Sequence, residues 1–497
     1  MSAEIRDVNN MAVNEIDLVK RSVREANKLM DEAYEAQKLI ADYDQQRIDS
    51  IVAAMVHAGY ENVRKLAYMA VEESKIGVAE DKVIKNVFAT KNIYEYIKDM
   101  KTAGIVSEDR EQGIIEIAAP MGVVVGLIPT TNPTSTVMYK AIISIKSRNA
   151  IVLSPHPRSV RCCMDAARIM EEAAIAAGAP KGIIRCMSIC SKDATDTLMH
   201  HPKAAVILAT GGSAMVKAAY SSGTPAYGVG PGNVPAFIER SANISDAVSK
   251  IFKSKTFDNG TICASEQAIV AEDVIAEKVK AEVIKRGGYF AVGSDMKALE
   301  KAIILQDGGV NPKVVGQSPT AIAKLAGIEI PEGTKIICVE LKGVGKKYPL
   351  SAEKLCPVLA FYVIDDWEAG CERCIELLNY GGLGHTMVIH SHNDAIIREF
   401  GQKKPVFRIL VNTPSSQGAI GYTTGLAPAL TLGCGTWGGS ITSDNVSPLH
   451  LINRKRIAYH QPASEEKAKS KGARYVYTLT EINKAIDNYN KGGYWNE

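Results

Sequence analysis

The sequence lacks the long apolar runs that membrane and secreted proteins need. Its first twenty residues, MSAEIRDVNNMAVNEIDLVK, contain no apolar core of the kind that a secretory signal requires. The most apolar segment, GIIEIAAPMGVVVGLIP, carries Glu116 and Pro120 and is too short to span a bilayer. We therefore expect a cytoplasmic protein without a membrane segment.

Concentrated positive charge and metal motifs are also absent. The 58 basic and 55 acidic residues leave a net charge of +3, and the basic residues are spread out, which argues against a nucleic-acid surface. Ten cysteines in 497 residues do not form a disulfide framework. The one C-x-x-C pair, Cys371 and Cys374, lies in a helical pattern without a second pair to complete a zinc site, and H-E-x-x-H does not occur. We expect core thiols, no metal and no nucleic-acid partner.

Short apolar strands alternate with helices from residue 149 onward. The segment NAIVLSP predicts a strand, and SVRCCMDAARIMEEAAIAAG predicts a helix that ends at Gly178. The segment TPAYGVGPGNVPAFIE predicts a strand interrupted by glycines. Such alternation is typical of βαβ units with a parallel sheet, which binds ligands at the carboxyl ends of its strands. The sequence therefore predicts an α/β fold, preceded by a helical region over residues 14–100.

The segment LATGGSAMVK has the pattern of a phosphate-binding turn. A strand is predicted to end at Thr210, Gly211 and Gly212 turn the chain, and a helix begins at Ser213. Free N–H groups and the helix dipole would favour a phosphate there, although an ordinary strand-to-helix turn has the same pattern. A second glycine pattern, GCGTWG, matches G-x-G-x-x-G but follows no clear strand and opens no helix.

The segment SKTFDNGTICASEQAIV contains a candidate nucleophile. A helix with Ser245 as its N-cap is predicted to end at Gly260, which places Cys263 in a loop among small and polar residues. Core cysteines usually have large apolar neighbours, and functional groups concentrate in loops. A thiol with an ordinary pKa of about 8.5 needs local activation to react at neutral pH.

Ten segments are together similar to the aldehyde dehydrogenase superfamily, and more closely to its CoA-acylating branch. The nearest likeness is to the aldehyde dehydrogenase half of bifunctional aldehyde–alcohol dehydrogenases, over about residues 15–458. The ten segments occur in the same order: EDKVIKN, PTTNPTS, SPHPR, ATGG with AMVKAAYSSG, GVGPGN, SKTFDNGTICASEQ, EKLCP, GHT, NTPSSQG and LTLGCGTWGG. Such an ordered set is highly specific, and it places GCGTWGG in the substrate and CoA region.

The resemblance implies roles for individual residues. Cys263 matches the nucleophile, Asn132 matches the asparagine whose amide forms an oxyanion hole with the Cys263 N–H, and His385 matches a histidine near the thiol. It also implies NAD as the cofactor and coenzyme A as a co-substrate. Its dinucleotide-binding residues comprise the turn near the phosphates, two residues near the adenosine ribose, a carboxylate at the nicotinamide ribose and a glycine of GVGPGN: Thr210, Gly211, Gly212, Ser154, His156, Glu353 and Gly230.

One departure from the hydrolytic branch favours coenzyme A over water as the acyl acceptor. Hydrolytic relatives carry E-L-G-G-K where this chain has GVGPGN, so their general base aligns with Gly228, which cannot take a proton. The resemblance therefore implies the reversible conversion of an aldehyde, acetaldehyde first, with CoA and NAD⁺ to acyl-CoA and NADH. Propionaldehyde, sulfoacetaldehyde, a hydrolytic enzyme and a non-catalytic scaffold remain alternatives, as does a bulge glycine without chemical meaning.

The same resemblance divides the chain. It implies a Rossmann-like cofactor domain over 14–110 and 127–258, a catalytic domain over 259–430, and oligomerisation strands over 111–126 and 449–459. Exposed strand edges predict a homodimer or a larger oligomer.

Residues 460–497 are predicted to form a polar linker and an amphipathic tail helix. Thr478 and Glu481 have capping-box spacing, and the apolar face consists of Leu479, Ile482, Ile486 and Tyr489. We expect this helix to dock on a bacterial microcompartment shell, or to pack on its own subunit.

Overall fold

The computed structural model describes residues 2–461 and 478–490, with side chains described for 17–461 and 478–487. The chain divides into two compact units. The first consists of the chain up to Ala103 together with Ala119–Asn453, and the second consists of Gly104–Ala118 together with the chain from Arg454 onward.

The described helices and strands follow the predicted alternation. The helices are α1 (Ser2–Ile40), α2 (Gln45–Glu61), α3 (Val63–Ser74), α4 (Ala79–Val87), α5 (Ile93–Ile97), α6 (Pro133–Lys146), α7 (Val160–Ala176), α8 (Lys192–Met199), α9 (Ser213–Ser221), α10 (Ile244–Thr256), α11 (Asp273–Lys285), α12 (Gly293–Ile303), α13 (Pro319–Ala326), α14 (Trp367–Gly381), α15 (Asp394–Lys403), α16 (Ser415–Ala419) and α17 (Leu479–Asn490). The strands are β1 (Gly104–Asp109), β2 (Ile114–Pro120), β3 (Val123–Ile128), β4 (Ala150–Pro155), β5 (Ile184–Cys186), β6 (Ala204–Thr210), β7 (Ala226–Val229), β8 (Val234–Ile238), β9 (Glu266–Glu272), β10 (Gly288–Phe290), β11 (Ile336–Glu340), β12 (Val358–Ile364), β13 (Met387–His390), β14 (Ile409–Val411) and β15 (Ile452–Ala458).

Two parallel sheets form the first unit, as the α/β pattern predicts. One has five strands in the order β5-β4-β3-β6-β7, and the other has seven in the order β10-β11-β12-β9-β8-β13-β14. Strands β3 and β9 lie inside these sheets, and every residue of each is buried. Apolar residues on both faces are what a parallel sheet covered by helices requires. Cys371 and Cys374 are buried on α14, which confirms them as core thiols.

The glycine-interrupted strand of the prediction is two strands in two different sheets. Strand β7 pairs with β6 of the five-stranded sheet, whereas β8 pairs with β9 and β13 of the seven-stranded sheet. Residues 230–233, which include Gly230 and Gly232, cross from one sheet to the other. Strand β8 lies within the range 127–258 predicted for the cofactor domain.

The segment before Cys263 also differs from the prediction. Helix α10 has Asn243, and not Ser245, as its N-cap, because Asn243 Oδ1 accepts the Asp246 N–H at 3.1 Å. The helix ends at Thr256 and not at Gly260, and Asp258 and Asn259 adopt left-handed backbone angles with φ of 49° and 53°. Such angles are unfavourable for non-glycine residues and persist where surrounding contacts fix them.

A three-stranded sheet, in the order β1-β2-β15, belongs mainly to the second unit. Strands β2 and β15 lie in the segments 111–126 and 449–459, which were predicted to contain strands, whereas β1 was not predicted. Strand β3, which overlaps the end of the segment 111–126, instead joins the five-stranded sheet.

Helix α17 begins with the predicted capping box. The Glu481 N–H donates to Thr478 Oγ1 at 3.2 Å, and the Thr478 N–H donates to Glu481 Oε2 at 2.8 Å. The side chain of Tyr489 and most of the predicted linker lie outside the described residues.

Candidate active site

Cys263 lies on the wall of a mostly apolar cavity, in the loop between α10 and β9. The cavity wall comes from α4, the turns after β3 and β6, the cysteine loop, and the segment that includes α16 and runs on to residue 432. Its lining residues are Ile84, Lys85, Phe88, Asn132, Thr136, Thr210, Phe257, Ile262, Cys263, Gln417, Ile420, Tyr422, Leu430 and Leu432. A half-buried thiol in an apolar cavity can meet a small molecule while bulk water is largely kept out.

Asn132 is the N-cap of α6 and shares the cavity wall with Cys263. Its backbone carbonyl accepts the Thr136 hydroxyl at 2.6 Å, and its Nδ2 donates to Thr131 Oγ1 at 3.2 Å. Its Oδ1 accepts from Lys85 Nζ at 2.5 Å. The structure thus brings the predicted amide donor and the predicted nucleophile to one cavity.

Lys85 belongs to a buried polar network, here called the Lys85 cluster: Lys82, Lys85, Asn132, Asp258 and Thr261. Both lysines form ion pairs with Asp258 Oδ2, and Lys82 Nζ lies at 2.8 Å from it. Thr261 Oγ1 donates to the same oxygen at 2.8 Å. Burial lowers the pKa of Lys85 to about 8, while the two lysines hold the pKa of Asp258 below its usual value despite burial. A paired carboxylate explains how two ammonium groups remain buried.

A second group, here called the Glu353 cluster, contacts the other part of the cysteine loop: Gly232, Glu353, His385 and Arg408. The Gly232 N–H donates to Glu353 Oε1 at 3.1 Å. A Cβ atom added at Gly232 would lie 2.1 Å from the Cys263 carbonyl oxygen and 3.3 Å from the His385 ring. Only glycine allows this close approach, so Gly232 brings the predicted Glu353 and His385 next to the cysteine loop.

Arg408 fixes the position of His385. Its Nη1 donates to the His385 carbonyl oxygen at 2.8 Å, its Nε donates to Asn445 Oδ1 at 2.8 Å, and its Nη2 donates to the Gly433 carbonyl oxygen. His385 Nδ1 lies 3.0 Å from Thr386 Oγ1, whereas its Nε2 has no hydrogen-bond partner within the part of the chain that the structure describes. A buried nitrogen without a partner is available to a ligand.

The titratable groups of this region have displaced pKa values. Burial, with a further contribution from the charge of Glu353, raises the pKa of the Cys263 thiol to about 12. Burial also raises the pKa of Glu353 to about 8. Burial and the neighbouring Arg408 lower the pKa of His385 to about 3. The free protein therefore holds a protonated thiol and a neutral imidazole at neutral pH, and the thiol needs a bound partner or a proton acceptor to react.

Comparison with known proteins identifies the family. The protein-family sequence model described as "Aldehyde dehydrogenase family" matches residues 3–425. The chain belongs to the aldehyde dehydrogenase family. An acetylating aldehyde dehydrogenase from Geobacillus thermoglucosidasius is 50% identical, with a TM-score of 0.88 over 90% of this chain and 98% of that one. A probable aldehyde dehydrogenase from Listeria monocytogenes EGD-e is 54% identical, with a TM-score of 0.89 over 91% and 99%.

A curated relative matches over the same region. A bifunctional aldehyde–alcohol dehydrogenase from Escherichia coli is 48% identical over 442 residues, which are 88% of this chain and 50% of that protein. The chain spans about half the length of the bifunctional relatives that it matches. These similarities confirm the resemblance predicted from the ten sequence segments.

Five of the seven residues predicted to bind the cofactor lie at the carboxyl ends of β4 and β6, the two strands that flank β3 in the five-stranded sheet. Thr210 ends β6 and lines the Cys263 cavity, and its buried Oγ1 has no partner among the described residues. Gly212 is the N-cap of α9, and a Cβ added there would contact nothing within 4 Å. Backbone N–H groups at such an open helix start can bind a phosphate.

The two residues predicted to hold the adenosine ribose differ in exposure. Ser154, near the end of β4, is buried and its hydroxyl lies 3.0 Å from Thr195 Oγ1. His156 is exposed, and its Nδ1 accepts the Arg158 N–H at 3.1 Å. These residues and the open turn at Gly211 and Gly212 fit a nicotinamide dinucleotide along this edge, whereas Glu353 precedes β12 of the seven-stranded sheet.

Gly230 is not among the residues that line the Cys263 cavity. It lines a separate cavity with Pro231, Cys434, Trp437 and Gly438 of the GCGTWGG segment. Cys434 is buried, and the indole of Trp437 is stacked on Phe407 with ring centroids 4.8 Å apart. This cavity includes the segment that the resemblance places in the CoA region.

Sequence reasoning missed several residues that build the site. Lys85, Asp258 and Gly232 all lie inside segments that carry the family resemblance, but the resemblance assigned no role to these three residues. Arg408 lies outside every quoted segment, and its contacts depend on distant backbone carbonyls. Among the described residues, no helix could cross a membrane and no group of three or more histidine, cysteine or acidic side chains could hold a metal ion.

Proposed function

We propose that the chain is a CoA-acylating aldehyde dehydrogenase that converts a short, uncharged aldehyde, with acetaldehyde as the leading substrate, to its acyl-CoA. One observation carries this proposal: Cys263 and the Asn132 amide share a cavity whose described lining contains no carboxylate. A hydrolytic enzyme needs a general base that activates water at the acyl-cysteine. Without such a base, a thiol is the better acceptor of the acyl group.

The residues support the following chemistry. The Cys263 sulfur, after losing its proton, adds to the aldehyde carbon, and the Asn132 amide together with the Cys263 backbone N–H stabilises the oxyanion. When bound, the nicotinamide supplies the acceptor for the hydride that leaves the same carbon. Cys263 then holds the acyl group as a thioester until the CoA thiol displaces it. Exchange of one thioester for another is nearly isoenergetic, so the reaction runs in both directions.

The cavity also supports the choice of aldehyde. Its side chains are mainly aliphatic or aromatic, and its one cationic lining residue, Lys85, is paired with Asp258. A carboxylate or sulfonate on the substrate would lose its hydration without gaining a free cation. This favours acetaldehyde or propionaldehyde over sulfoacetaldehyde.

The deciding experiment measures NADH absorbance with purified protein, acetaldehyde and NAD⁺, with and without CoA, beside Cys263→Ser. We expect sustained turnover only with CoA and none in the variant. Equal turnover without CoA would make water the acceptor and contradict the proposal. No NADH under any condition, and no effect of the substitution, would favour a non-catalytic scaffold.

We propose NAD⁺ as the preferred dinucleotide. Arg158, which is close in sequence to the residues predicted to hold the adenosine ribose, donates from Nη2 to the Ser74 carbonyl oxygen at 2.8 Å and is thus engaged within the fold. A free arginine at this position would favour the extra phosphate of NADP⁺. The ratio of kcat/KM for the two dinucleotides tests the preference, and a ratio that favours NADP⁺ would overturn it.

The exposed strand β15 supports a homodimer or a larger oligomer. All side chains from Asn453 to Ala458 are exposed, and β15 lies at one edge of its sheet. Unpaired strand edges commonly pair with another chain. Light scattering during size-exclusion chromatography measures the assembly directly, and a monomer at micromolar concentration would contradict the proposal.

The tail helix supports docking to a partner such as a microcompartment shell. Leu479, Ile482 and Ile486 are exposed along one face of α17. Apolar helix faces of this kind bind grooves on partner proteins. Deletion of residues 462–497 should leave turnover intact and abolish co-sedimentation with shells, and lost turnover would instead favour packing on the same subunit.

A further inference from the structure

Lys85 uses every hydrogen-bond donor that it has within the Lys85 cluster. An ammonium group has three N–H donors. These reach Asn132 Oδ1 at 2.5 Å, Thr261 Oγ1 at 3.0 Å and the carboxylate of Asp258. The side chain is only 3% exposed although it lines the Cys263 cavity. Lys85 is therefore a fixed group, with no donor left for a substrate.

The contact with Asn132 determines which way the amide points. An ammonium group can face only the amide oxygen, because the opposite orientation would place N–H donors against N–H donors. The Nδ2 group of Asn132 then faces away from Lys85. One of its hydrogens is directed to Thr131 Oγ1 at 3.2 Å, and the other has no partner among the described residues. That second hydrogen is the donor that an oxyanion beside Cys263 needs.

The same cluster connects the amide to the nucleophile loop. Asp258 and Thr261 precede Cys263 in the chain, and Thr261 Oγ1 lies within hydrogen-bond distance of both Lys85 Nζ and Asp258 Oδ2. The left-handed angle of Asp258 is fixed by these bonds and by the Val78 N–H, which donates to its Oδ1 at 2.6 Å. A shift of Lys85 would therefore move the amide relative to the sulfur.

Lys82 provides an internal comparison. It lies on the same helix, is equally buried at 3% exposure, and pairs with the same carboxylate oxygen at 2.8 Å. Its remaining described contact is with the Thr131 carbonyl oxygen at 2.7 Å, and not with Asn132. If the lysines served only to hold Asp258, they would be equivalent. Only Lys85 of the two contacts the Asn132 amide and can orient it.

We infer that Lys85 is a positioning residue for acylation: it holds the Asn132 side chain so that Nδ2 is directed toward the oxyanion that forms beside Cys263. It acts through Asn132 and does not touch the substrate. The inference rests on the proposed function, since it concerns the addition of Cys263 to an aldehyde.

The test compares Lys85→Met with Lys82→Met in full-length protein. Methionine is similar in length and carries no charge, and each variant leaves Asp258 with the other lysine as a partner. The measurement is the rate of the first NADH burst with acetaldehyde and NAD⁺ in the absence of CoA. This burst reports acylation alone, so it remains valid whether CoA or water is the later acceptor.

We expect Lys85→Met to slow the burst by about 100-fold, with little change in the aldehyde concentration at half-maximal rate, because an oriented oxyanion donor contributes about 100- to 1,000-fold. Lys82→Met, which leaves the contact between Lys85 and Asn132 in place, should slow the burst far less than Lys85→Met does. In an Asn132→Ala background, Lys85→Met should have little further effect, since two residues that act as one unit are not additive.

Alkylation of Cys263 by iodoacetamide, which forms no oxyanion, separates positioning from misfolding. It should proceed at the wild-type rate in Lys85→Met, and a large change would indicate a damaged thiol loop and overturn the inference. So would a normal burst in Lys85→Met, equal losses in both lysine variants, or full additivity with Asn132→Ala. A wild-type protein without any burst would instead overturn the proposed function.

Discussion

The Lys85 cluster and the Glu353 cluster both contact the loop that carries Cys263, but they satisfy their polar groups differently. In the first, Asp258 accepts from two lysines, Thr261 and the Val78 N–H, and each Lys85 donor has an acceptor. In the second, Glu353 accepts one N–H, from Gly232, and His385 Nε2 has no partner within the described residues. The contrast is between a closed network and an open one.

This contrast corresponds to two tasks. A closed network of buried charges holds one geometry, because any displacement leaves an uncompensated charge. An open network leaves hydrogen-bond donors and acceptors available to ligands that bind and dissociate, such as a dinucleotide ribose and an incoming thiol.

Asp258→Asn should destabilise the protein most, because it leaves Lys82 and Lys85 buried without their common anion. Loss of one partner of a buried ion pair costs about 3–5 kcal/mol. Urea unfolding measures this change. The matched control is Glu80→Gln, which removes an exposed pair with Arg64 and should change the free energy of unfolding far less.

The loss in free energy of unfolding that Asp258→Asn causes should also decrease as the pH rises from about 7 to about 9. The pKa of Lys85 in the folded protein is already lowered to about 8, below its value of about 10.4 in an unfolded chain. The charge of Asp258 raises the pKa of Lys85, so in the folded variant this pKa falls further and the lysine binds fewer protons than in the folded wild type over this interval. The loss of stability therefore decreases as pH increases. A loss of stability that increases with pH would contradict the presence of a buried, unpaired Lys85 ammonium in the variant.

Asn132→Ala should reduce kcat by about 100- to 1,000-fold with a smaller change in KM for the aldehyde. The amide N–H is stronger as a donor in the transition state, where the negative charge develops, than toward the neutral carbonyl. Steady-state kinetics with acetaldehyde measure both parameters. A kcat within tenfold of the wild type would mean that the closed network does not serve the oxyanion.

Alkylation of Cys263 in the free protein should accelerate about 100-fold between pH 7 and pH 9 without a plateau. Its pKa of about 12 keeps the thiolate fraction rising tenfold per pH unit throughout this range. A thiol with an ordinary pKa of about 8.5 would level off near pH 9. Peptide mass spectrometry after iodoacetamide treatment gives the rate at this position, with Cys263→Ser as the blank.

His385→Gln should leave the shape of the pH–rate profile between pH 5.5 and pH 9 unchanged, even if the absolute rate falls. The pKa of His385 is lowered to about 3, so the imidazole stays neutral over that interval. A neutral imidazole can still accept or donate one hydrogen bond at Nε2. An inflection near pH 6.5 that disappears in the variant would show that the site charges this histidine.

Much of the fold could be predicted from periodicity and turn residues. The helical N-terminal region, the βα alternation after residue 149 and the capping box at Thr478 are local patterns, and all three occur as predicted. The boundary near Cys263 was wrong because Asp258 takes its left-handed angle from buried contacts with Lys82 and Lys85, which lie far away in the sequence. Local propensity carries no signal for such contacts.

The division of one glycine-rich strand into β7 and β8 has a similar origin. The segments on either side of residues 230–233 are both apolar, so periodicity alone cannot show that they join different sheets. The sheet assignment comes from which neighbours each strand finds, and those neighbours, β6 on one side and β9 and β13 on the other, are distant in the chain.

The sequence by itself determined the α/β class, the family, and the residue types at Cys263, Asn132, Glu353 and His385. Tertiary structure decided where they meet. The residues predicted for the phosphates and the adenosine ribose lie at the carboxyl ends of β4 and β6, as parallel sheets favour, whereas Gly232, Cys263, Glu353 and His385 precede β8, β9, β12 and β13 at the amino edge of the other sheet. Short-range patterns record which segment is a strand. Which edges face one cavity depends on long-range packing, and here on Gly232, where any side chain would collide with the Cys263 backbone.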